Sequence, residues 1–153
     1  DSVLERYDLY NALSLKLVQK QQSLEKELQS KMLSLQNRAV QLQNQYSQRL
    51  ITTQTYQEKA QRLQDEQMQI QQWQETKFYE LNEDQMIITE RVYDSILVVI
   101  NEINKSQKYD LIISNSYGGA LLYGNPKWNI SDTIVLLLNG KVSPNFLTDS
   151  IAK

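Results

Sequence analysis

The sequence predicts a mainly α protein with a small β part (α+β): a long antiparallel coiled-coil helical hairpin, or tentacle, on a small β-sheet/helix oligomerisation body. Three observations carry this prediction. Only four Gly and two Pro occur in 153 residues, so the chain has few places where a helix would have to end. Apolar residues recur at helical spacing over most of the first two-thirds of the chain. The remainder changes to short runs rich in β-branched residues.

The first predicted helix runs from about Leu4 to Leu50, a stretch without Gly or Pro. Its apolar residues are separated by 4, 3, 4, 3 and 4 positions, and this alternation is typical of a coiled-coil seam. The seam residues are Leu28, Met32, Leu35, Ala39, Leu42 and Tyr46.

A cluster of threonines then interrupts the pattern. Thr52, Thr53 and Thr55 are poor residues for a helix interior but good N-caps. Thr55 followed by Glu58 fits a capping box, and a cap at Thr52 or Thr53 fits as well. We therefore predict a tight reversal with its tip near residues 50–55. The alternative is one uninterrupted helix of about a hundred residues.

The second predicted helix runs from about Gln54 to Ser106. In its first half Gln67 and Gln74 occupy seam positions among apolar residues, and its second half carries apolar residues at helical spacing. Each helix would be roughly 70 to 80 Å long at 1.5 Å per residue. Because no globule of this size could enclose such helices, the hairpin must project from the body.

The body is predicted from the residues that follow. Residues 109–114 read as a strand, 116–119 as a turn and 120–123 as the paired strand of a β-hairpin. A short helix is predicted over 132–139, with Ser131 as its N-cap and Gly140 in a left-handed position at its end.

The predicted domains follow from these elements. Residues 1–18 and 86–142 form the oligomerisation body, 19–85 the tentacle, and 143–153 an extended or disordered tail.

Apolar surface in the body predicts oligomerisation. A two-stranded sheet is marginal alone, and the run Ile134 to Leu138 makes the short helix apolar all round. We expect neighbouring copies to complete the core; the alternative is a strand preceding Asp1 that completes it within one chain. The predicted interface residues are Val3, Leu4, Ile96, Val99, Ile103, Leu111, Ile112, Ile113 and Leu121.

The composition argues against several classes of function. Without Cys or His the chain lacks thiol chemistry, the usual general base and the commonest transition-metal ligand. No phosphate-binding glycine loop is present, and the carboxylate pairs Asp65–Glu66 and Glu83–Asp84 fall on long exposed helices. A net charge of -2 offers no basic face for nucleic acid. No apolar run could span a bilayer, so we predict at most peripheral membrane contact. We expect no catalytic residue, metal or cofactor, and therefore no enzyme.

A group of apolar residues on the predicted hairpin remains to be explained. These side chains either pack in an irregular two-helix seam or form an exposed face that grips other polypeptides, a role that suits Met and aromatic side chains. The candidate client-binding residues are Met32, Leu33, Leu50, Ile51, Met68 and Trp73.

The order of several segments resembles that of the Skp/OmpH family of periplasmic chaperones, most closely its members from Bacteroidetes. The segments are residues 1–7, 109–113, 120–125 and 130–132, on either side of a long helical hairpin. The resemblance extends to about Val142. It implies a periplasmic homotrimer with a shared β-barrel-like core, whose tentacles enclose a cavity.

In that family the cavity holds unfolded outer-membrane β-barrel proteins in transit, without ATP. The resemblance therefore implies a holdase chaperone. The alternative is a structural coiled-coil spacer or adaptor without chaperone activity. A spacer would have no need of the body predicted over residues 109–139, and this favours the chaperone.

Overall fold

The computed structural model describes residues 2–114, 121 and 123–140. These residues form helices α1 (Ser2–Glu5), α2 (Asp8–Ser47), α3 (Thr53–Ile103) and α4 (Ser131–Gly140), with a 3-10 helix at Pro126–Trp128. The predicted helical hairpin is therefore present, and the chain is mostly helical.

The chain divides into two compact units, and α2 and α3 contribute to both. The hairpin unit is Leu17–Asp84, and the body unit comprises Asp1–Lys16 and Gln85–Lys153. The predicted division at residues 19 and 85 lies close to these limits. The roles predicted for the two parts stay predictions.

The first predicted helix is interrupted near its start. Between α1 and α2, Tyr7 is buried, and the chain resumes its helix at Asp8. Asn139 of α4 satisfies the backbone on both sides of this break: its Nδ2 donates to the Arg6 carbonyl at 2.9 Å, and its Oδ1 accepts from the Asp8 N–H at 3.0 Å. A helix start needs such an acceptor, and here a residue distant in sequence supplies it.

The turn at the tip ends α2 without a glycine. Arg49 takes a left-handed conformation, with φ of 57°. Its N–H donates to the Tyr46 carbonyl at 2.9 Å, and the Leu50 N–H donates to the Gln45 carbonyl at 2.9 Å. This pair of hydrogen bonds is a Schellman motif, which satisfies carbonyls that the helix end would otherwise leave free.

The start of α3 is capped by Thr52. Its Oγ1 accepts the Thr55 N–H at 3.1 Å, so the capping box that begins at Thr55 is wrong and the alternative cap at Thr52 is confirmed. The predicted reversal is present, and the alternative of a single uninterrupted helix is excluded. Across the turn, the rings of Tyr46 and Tyr56 stack with their centroids 4.4 Å apart, and the Tyr56 hydroxyl donates to Gln43 Oε1 at 3.0 Å.

The apolar seam of the hairpin unit is narrower than predicted. Leu35 and Leu42 of α2 and Ile70 of α3 are buried, whereas Met32 and Ala39 are exposed. Two antiparallel helices bury only the side chains in the stripe where they face each other. Side chains just beside this stripe remain exposed to solvent. The 4-3 seam prediction is therefore wrong at Met32 and Ala39.

On α3 the seam runs through Leu63, which is half-buried, and Ile70. Gln67 and Gln74, which were predicted in seam positions, are exposed. Their amides remain in contact with solvent, which is the favourable place for a polar group that has no buried partner.

The body unit has a core assembled from three separate stretches of chain. Residues of α2, α3 and α4 pack together with Tyr7, and Arg6 Nη1 lies 2.6 Å from Asp132 Oδ1 at the surface. Burying each of these apolar side chains contributes roughly 1.5–3 kcal/mol. The buried residues are Tyr7, Leu9, Leu13, Val92, Val99, Ile134 and Leu138.

Helix α4 begins and ends differently from the prediction. Ser131 is its first residue, and Asn129 Oδ1 accepts the Ser131 N–H at 2.9 Å, so Asn129 performs the capping predicted for Ser131. Gly140 is the last helical residue and has no positive φ. The left-handed position predicted for Gly140 is therefore wrong.

The described residues contain no β-strand, so the β part of the predicted fold class stays a prediction. Residues 109–114 are irregular, and Asn104 holds Tyr109 through two 2.8 Å hydrogen bonds with its backbone. A strand requires a neighbour, and a two-stranded hairpin is marginal alone. The predicted turn, two of the four residues of the predicted second strand (120 and 122) and the predicted tail lie outside the described residues.

Replacing Arg49 with Gly is expected to raise the free energy of unfolding by about 0.5–1 kcal/mol relative to Arg49→Ala. Both variants remove the same charge, but only Ala keeps the Cβ that makes the left-handed conformation costly. Urea unfolding followed by circular dichroism measures the difference. Equal midpoints for the two variants would show that residue 49 is not left-handed.

Candidate functional site

One edge of the hairpin seam opens into a groove of about 730 Å³. Its floor contains the buried Leu35 and Leu42, and it lies between α2 and α3 within the hairpin unit. Among the described residues, none that lines it is charged. The lining residues are Gln29, Met32, Leu33, Leu35, Gln36, Ala39, Leu42, Tyr56, Ala60, Leu63, Gln64 and Gln67.

Helical spacing explains why these residues share one side. On α2, positions 29, 32, 36 and 39 follow at intervals of three and four, which places them on one face next to the seam. On α3, positions 60, 64 and 67 do the same. The lining therefore combines apolar side chains with four exposed glutamines, Gln29, Gln36, Gln64 and Gln67, which we call the rim.

The opposite edge of the seam is charged. Arg38 of α2 binds Glu66 of α3 at 2.5 Å, and the Lys31 ammonium lies 5.1 Å from the centre of the Trp73 ring. Lys31 also pairs with Glu27 at 3.1 Å. The two edges thus differ in chemistry: one carries ion pairs and a cation–π contact, whereas the residues that line the groove on the other are uncharged.

The ion pair between Arg38 and Glu66 changes the acidity of both groups. The hydrogen bond from Arg38 lowers the pKa of Glu66 below its usual value of 4.5, aided by the positive charges of Arg38 and Lys31 and opposed by partial desolvation. The same hydrogen bond raises the pKa of Arg38. Both side chains have more than a third of their surface exposed to solvent, which screens the pair, so the pair contributes little to stability.

Two of the six candidate client-binding residues lie in the groove. Met32 is 45% exposed and Leu33 is 57% exposed, and both line it. A partly exposed Met beside an apolar floor can adapt to partners of different shape. Their binding of clients stays a prediction.

The other four candidates lie elsewhere. Leu50 is 68% exposed at the tip, with the half-buried Ile51 beside it. Met68 is exposed on α3 but does not line the groove, and Trp73 belongs to the charged edge under Lys31. The structure therefore does not gather all six residues into one site.

Sequence reasoning did not identify the individual glutamines of the rim. Gln67 was predicted only in a seam position, and Gln29, Gln36 and Gln64 were not singled out. A signal was available, because Gln29 and Gln36 are seven residues apart and each is followed at helical spacing by an apolar residue.

The residues predicted to form the oligomer interface differ in how much of their surface is exposed in the single chain. Leu111 and Ile113 are 73% and 56% exposed. Val99 is only 1% exposed, so its own chain encloses it and it has no surface to offer a second copy. The half-buried members are Val3, Leu4, Ile96, Ile103, Ile112 and Leu121.

Other apolar residues of the body unit are more exposed than most of the predicted ones. Tyr93, Leu97 and Val98 on α3, and Leu136 on α4, all have more than half of their surface exposed. Sequence reasoning on α3 followed the face that contains Val99 and overlooked Tyr93, Leu97 and Val98, whereas Leu136 lies in the apolar run that predicted oligomerisation. The uninterrupted apolar run over residues 96–100 indicated a helix that is apolar on several sides.

The described residues contain no group of His, Cys, Asp and Glu side chains arranged to hold a metal ion. In the same part of the chain, no helix combines enough length with enough apolar character to cross a bilayer.

Comparison with known proteins adds a family and a structural neighbour. A family model described as outer membrane protein (OmpH-like) matches residues 1–138. A crystal structure of a candidate outer membrane chaperone (OmpH-like) from Caulobacter crescentus CB15 superimposes with a TM-score of 0.83 at 20% identity. The match covers 92% of this chain and 80% of that chain, and at this identity it shows the fold alone. No curated protein matches the sequence.

Acidification is expected to weaken the wild-type hairpin more than the Glu66→Gln variant. A carboxyl whose folded-state pKa is lowered contributes stability above its unfolded-state pKa, and this is lost as the pH falls through the folded-state pKa. Urea midpoints at pH 7 and pH 3 measure the two losses. Glu75→Gln, an exposed carboxylate on the same helix, is the control and should behave as the wild type does. The expectation would be contradicted if the urea midpoint of the wild type fell no further between pH 7 and pH 3 than that of Glu66→Gln.

Proposed function

The chain belongs to the OmpH-like outer membrane protein family, as its sequence resemblance predicted, and from that membership we propose that it is an ATP-independent holdase chaperone. Its clients would be unfolded outer-membrane β-barrel proteins, held in a cavity between the tentacles of a homotrimer in the periplasm. The observation that best supports this proposal is the uncharged apolar groove of the hairpin unit.

The chemistry of the clients suits such a groove. Strands of outer-membrane barrels alternate apolar and polar residues, and they aggregate readily when their edges are unpaired. Met32 and Leu33 offer exposed apolar surface. Because none of the described lining residues is charged, the groove would not require a particular charged residue in the client. A protein that binds only the unfolded chain withdraws it from aggregation by mass action.

Several such grooves in one oligomer would act together. Weak contacts at separate sites on one client give a large combined affinity, while each contact still forms and breaks quickly. A holdase without ATP needs both properties, since it must retain a client and later release it without an energy source. This is the functional reason to expect several copies around one cavity.

The exposed apolar residues of the body unit support assembly. Leu97, Val98, Leu111, Ile113 and Leu136 each expose more than half of their surface in the single chain. An apolar surface of this kind commonly marks an interface between proteins. We propose that neighbouring copies cover these residues, together with the exposed and half-buried residues of the predicted interface.

A homotrimer would have a mass of about 54 kDa, three times the 17.9 kDa of one chain. Light scattering after gel filtration at micromolar concentration measures it directly. Leu97→Glu is expected to shift the mass toward that of one chain, because it places a charge in the proposed interface. Glu90→Gln, which alters an exposed position on the same helix, is the control. A wild-type chain that remains monomeric would overturn the proposed assembly.

Chaperone activity is expected to depend on Met32 and Leu33. A urea-unfolded outer-membrane protein is diluted into buffer with stoichiometric trimer, and turbidity is followed. The wild type should suppress turbidity, whereas the Met32→Gln/Leu33→Gln variant should need roughly tenfold more protein because it offers less apolar surface.

The control for this assay is Val40→Gln, which alters an exposed apolar residue of α2 outside the groove. It should behave as the wild type does. Turbidity unchanged by the wild-type protein would favour the coiled-coil spacer. Equal effects of the groove and control variants would contradict the role given to Met32 and Leu33.

A further inference from the structure

We propose that the groove binds an extended, uncharged stretch of about six client residues and that the rim glutamines hydrogen-bond to its peptide backbone. This inference rests on the proposed holdase function and specifies what one hairpin recognises. It follows from the length of the groove, the placement of its polar and apolar groups, and the absence of charge among its described lining residues.

The length of the groove sets the length of the bound segment. On α2 the lining extends from Gln29 to Leu42, which corresponds to roughly 20 Å along a helix. An extended chain advances about 3.3 Å per residue, so about six residues match this distance. A helical segment of six residues would cover only about 9 Å and would leave most of the floor open.

The placement of the polar groups matches an extended backbone. In a strand, side chains point alternately to opposite faces, while the N–H and C=O groups point sideways. A strand lying along the groove would direct every second side chain to the floor formed by Leu35 and Leu42. Its peptide groups would then face the two rims, which carry Gln29 and Gln36 on α2 and Gln64 and Gln67 on α3.

Glutamine is suited to this position because its carboxamide both donates and accepts. It can therefore pair with either an N–H or a C=O of any client residue, whatever side chain that residue carries. A peptide group brought to an apolar floor without such a partner would lose its hydrogen bonds to water without replacing them, which weakens binding. The rim glutamines thus allow an apolar site to bind the peptide backbone of a client without selecting particular side chains.

The absence of charged lining residues defines the class of client. A charged side chain directed at this floor would lose its hydration without meeting a counterion. On the opposite edge, Arg38 and Lys31 already have partners in Glu66 and Glu27. The favoured occupant therefore alternates apolar residues with neutral polar ones and carries no charge on the side that faces the floor.

The test uses the full chain and a fluorescein-labelled peptide of twelve residues whose central six alternate Val and Thr. Fluorescence anisotropy measures its dissociation constant. Methylating the backbone nitrogens of the three central Thr residues removes N–H donors on one side of the strand and should weaken binding roughly fivefold to tenfold. Replacing the central Val residues with Asp or Lys should abolish binding.

Protein variants identify the groups that receive the backbone. Gln36→Met and Gln64→Met keep a long, helix-forming side chain but remove the carboxamide. Each should weaken binding of the unmethylated peptide, and in the double variant methylation should weaken binding less than it does in the wild type, since only Gln29 and Gln67 then remain at the rims. Gln41→Met, at an exposed glutamine of α2 outside the groove, should bind as the wild type does. Circular dichroism confirms that every variant is folded.

The outcomes separate this inference from the function on which it rests. Equal binding of methylated and unmethylated peptides, or equal behaviour of Gln36→Met and Gln41→Met, would overturn the backbone role. Suppression of aggregation without any peptide binding would overturn the groove as the site and leave the holdase intact. Binding that weakens as protein concentration rises would show that a second copy fills the groove, which also overturns the inference. Failure of the wild type in both assays would overturn the proposed function itself.

Discussion

The hairpin unit depends on the limited contact that two antiparallel helices can make. Each helix can bury only the stripe that faces its partner, and in this unit the buried residues are Leu35, Leu42 and Ile70. Both edges of the contact necessarily remain open to solvent. What the chain places at those edges therefore decides what the hairpin can do, because a third layer that would cover them is not available within a two-helix structure.

The two edges of the seam differ in chemistry, although the residues at both edges are only a few positions apart on the same helices. Arg38 and Lys31 lie to one side of the seam and meet Glu66 and Trp73, whereas Met32 and Gln36 lie to the other side and border the groove. Exposed ion pairs contribute little to stability, so the charged edge does little to hold the two helices together. In the function that we propose, clients would contact the uncharged edge, where adaptable side chains and neutral amides suit an unfolded chain.

The body unit solves a different problem, which is to hold together stretches that are far apart in the sequence. Asn139 hydrogen-bonds to the backbone at the break between α1 and α2. Tyr7, which lies in this break, is buried in the core of the body unit. Apolar residues such as Leu97 and Leu136 remain exposed around this core. A stable fold and an unsatisfied apolar surface therefore coexist in one chain, which is the condition expected of a subunit that completes its burial with other copies.

The sequence by itself determined the long helices, the reversal near Thr52, the short helix after Ile130 and the family, because helical periodicity, caps and segment order are local features. It also placed Met32 and Leu33 among residues that could bind other polypeptides. Only the tertiary structure decided that Val99 is enclosed, that Asn139 supports a helix start more than a hundred residues away, and that glutamines form the rim of a groove. The physical reason is that a residue's exposure depends on which stripe its partner helix covers, and an offset of one or two positions, invisible in the spacing of one helix, separates a buried side chain from an open one.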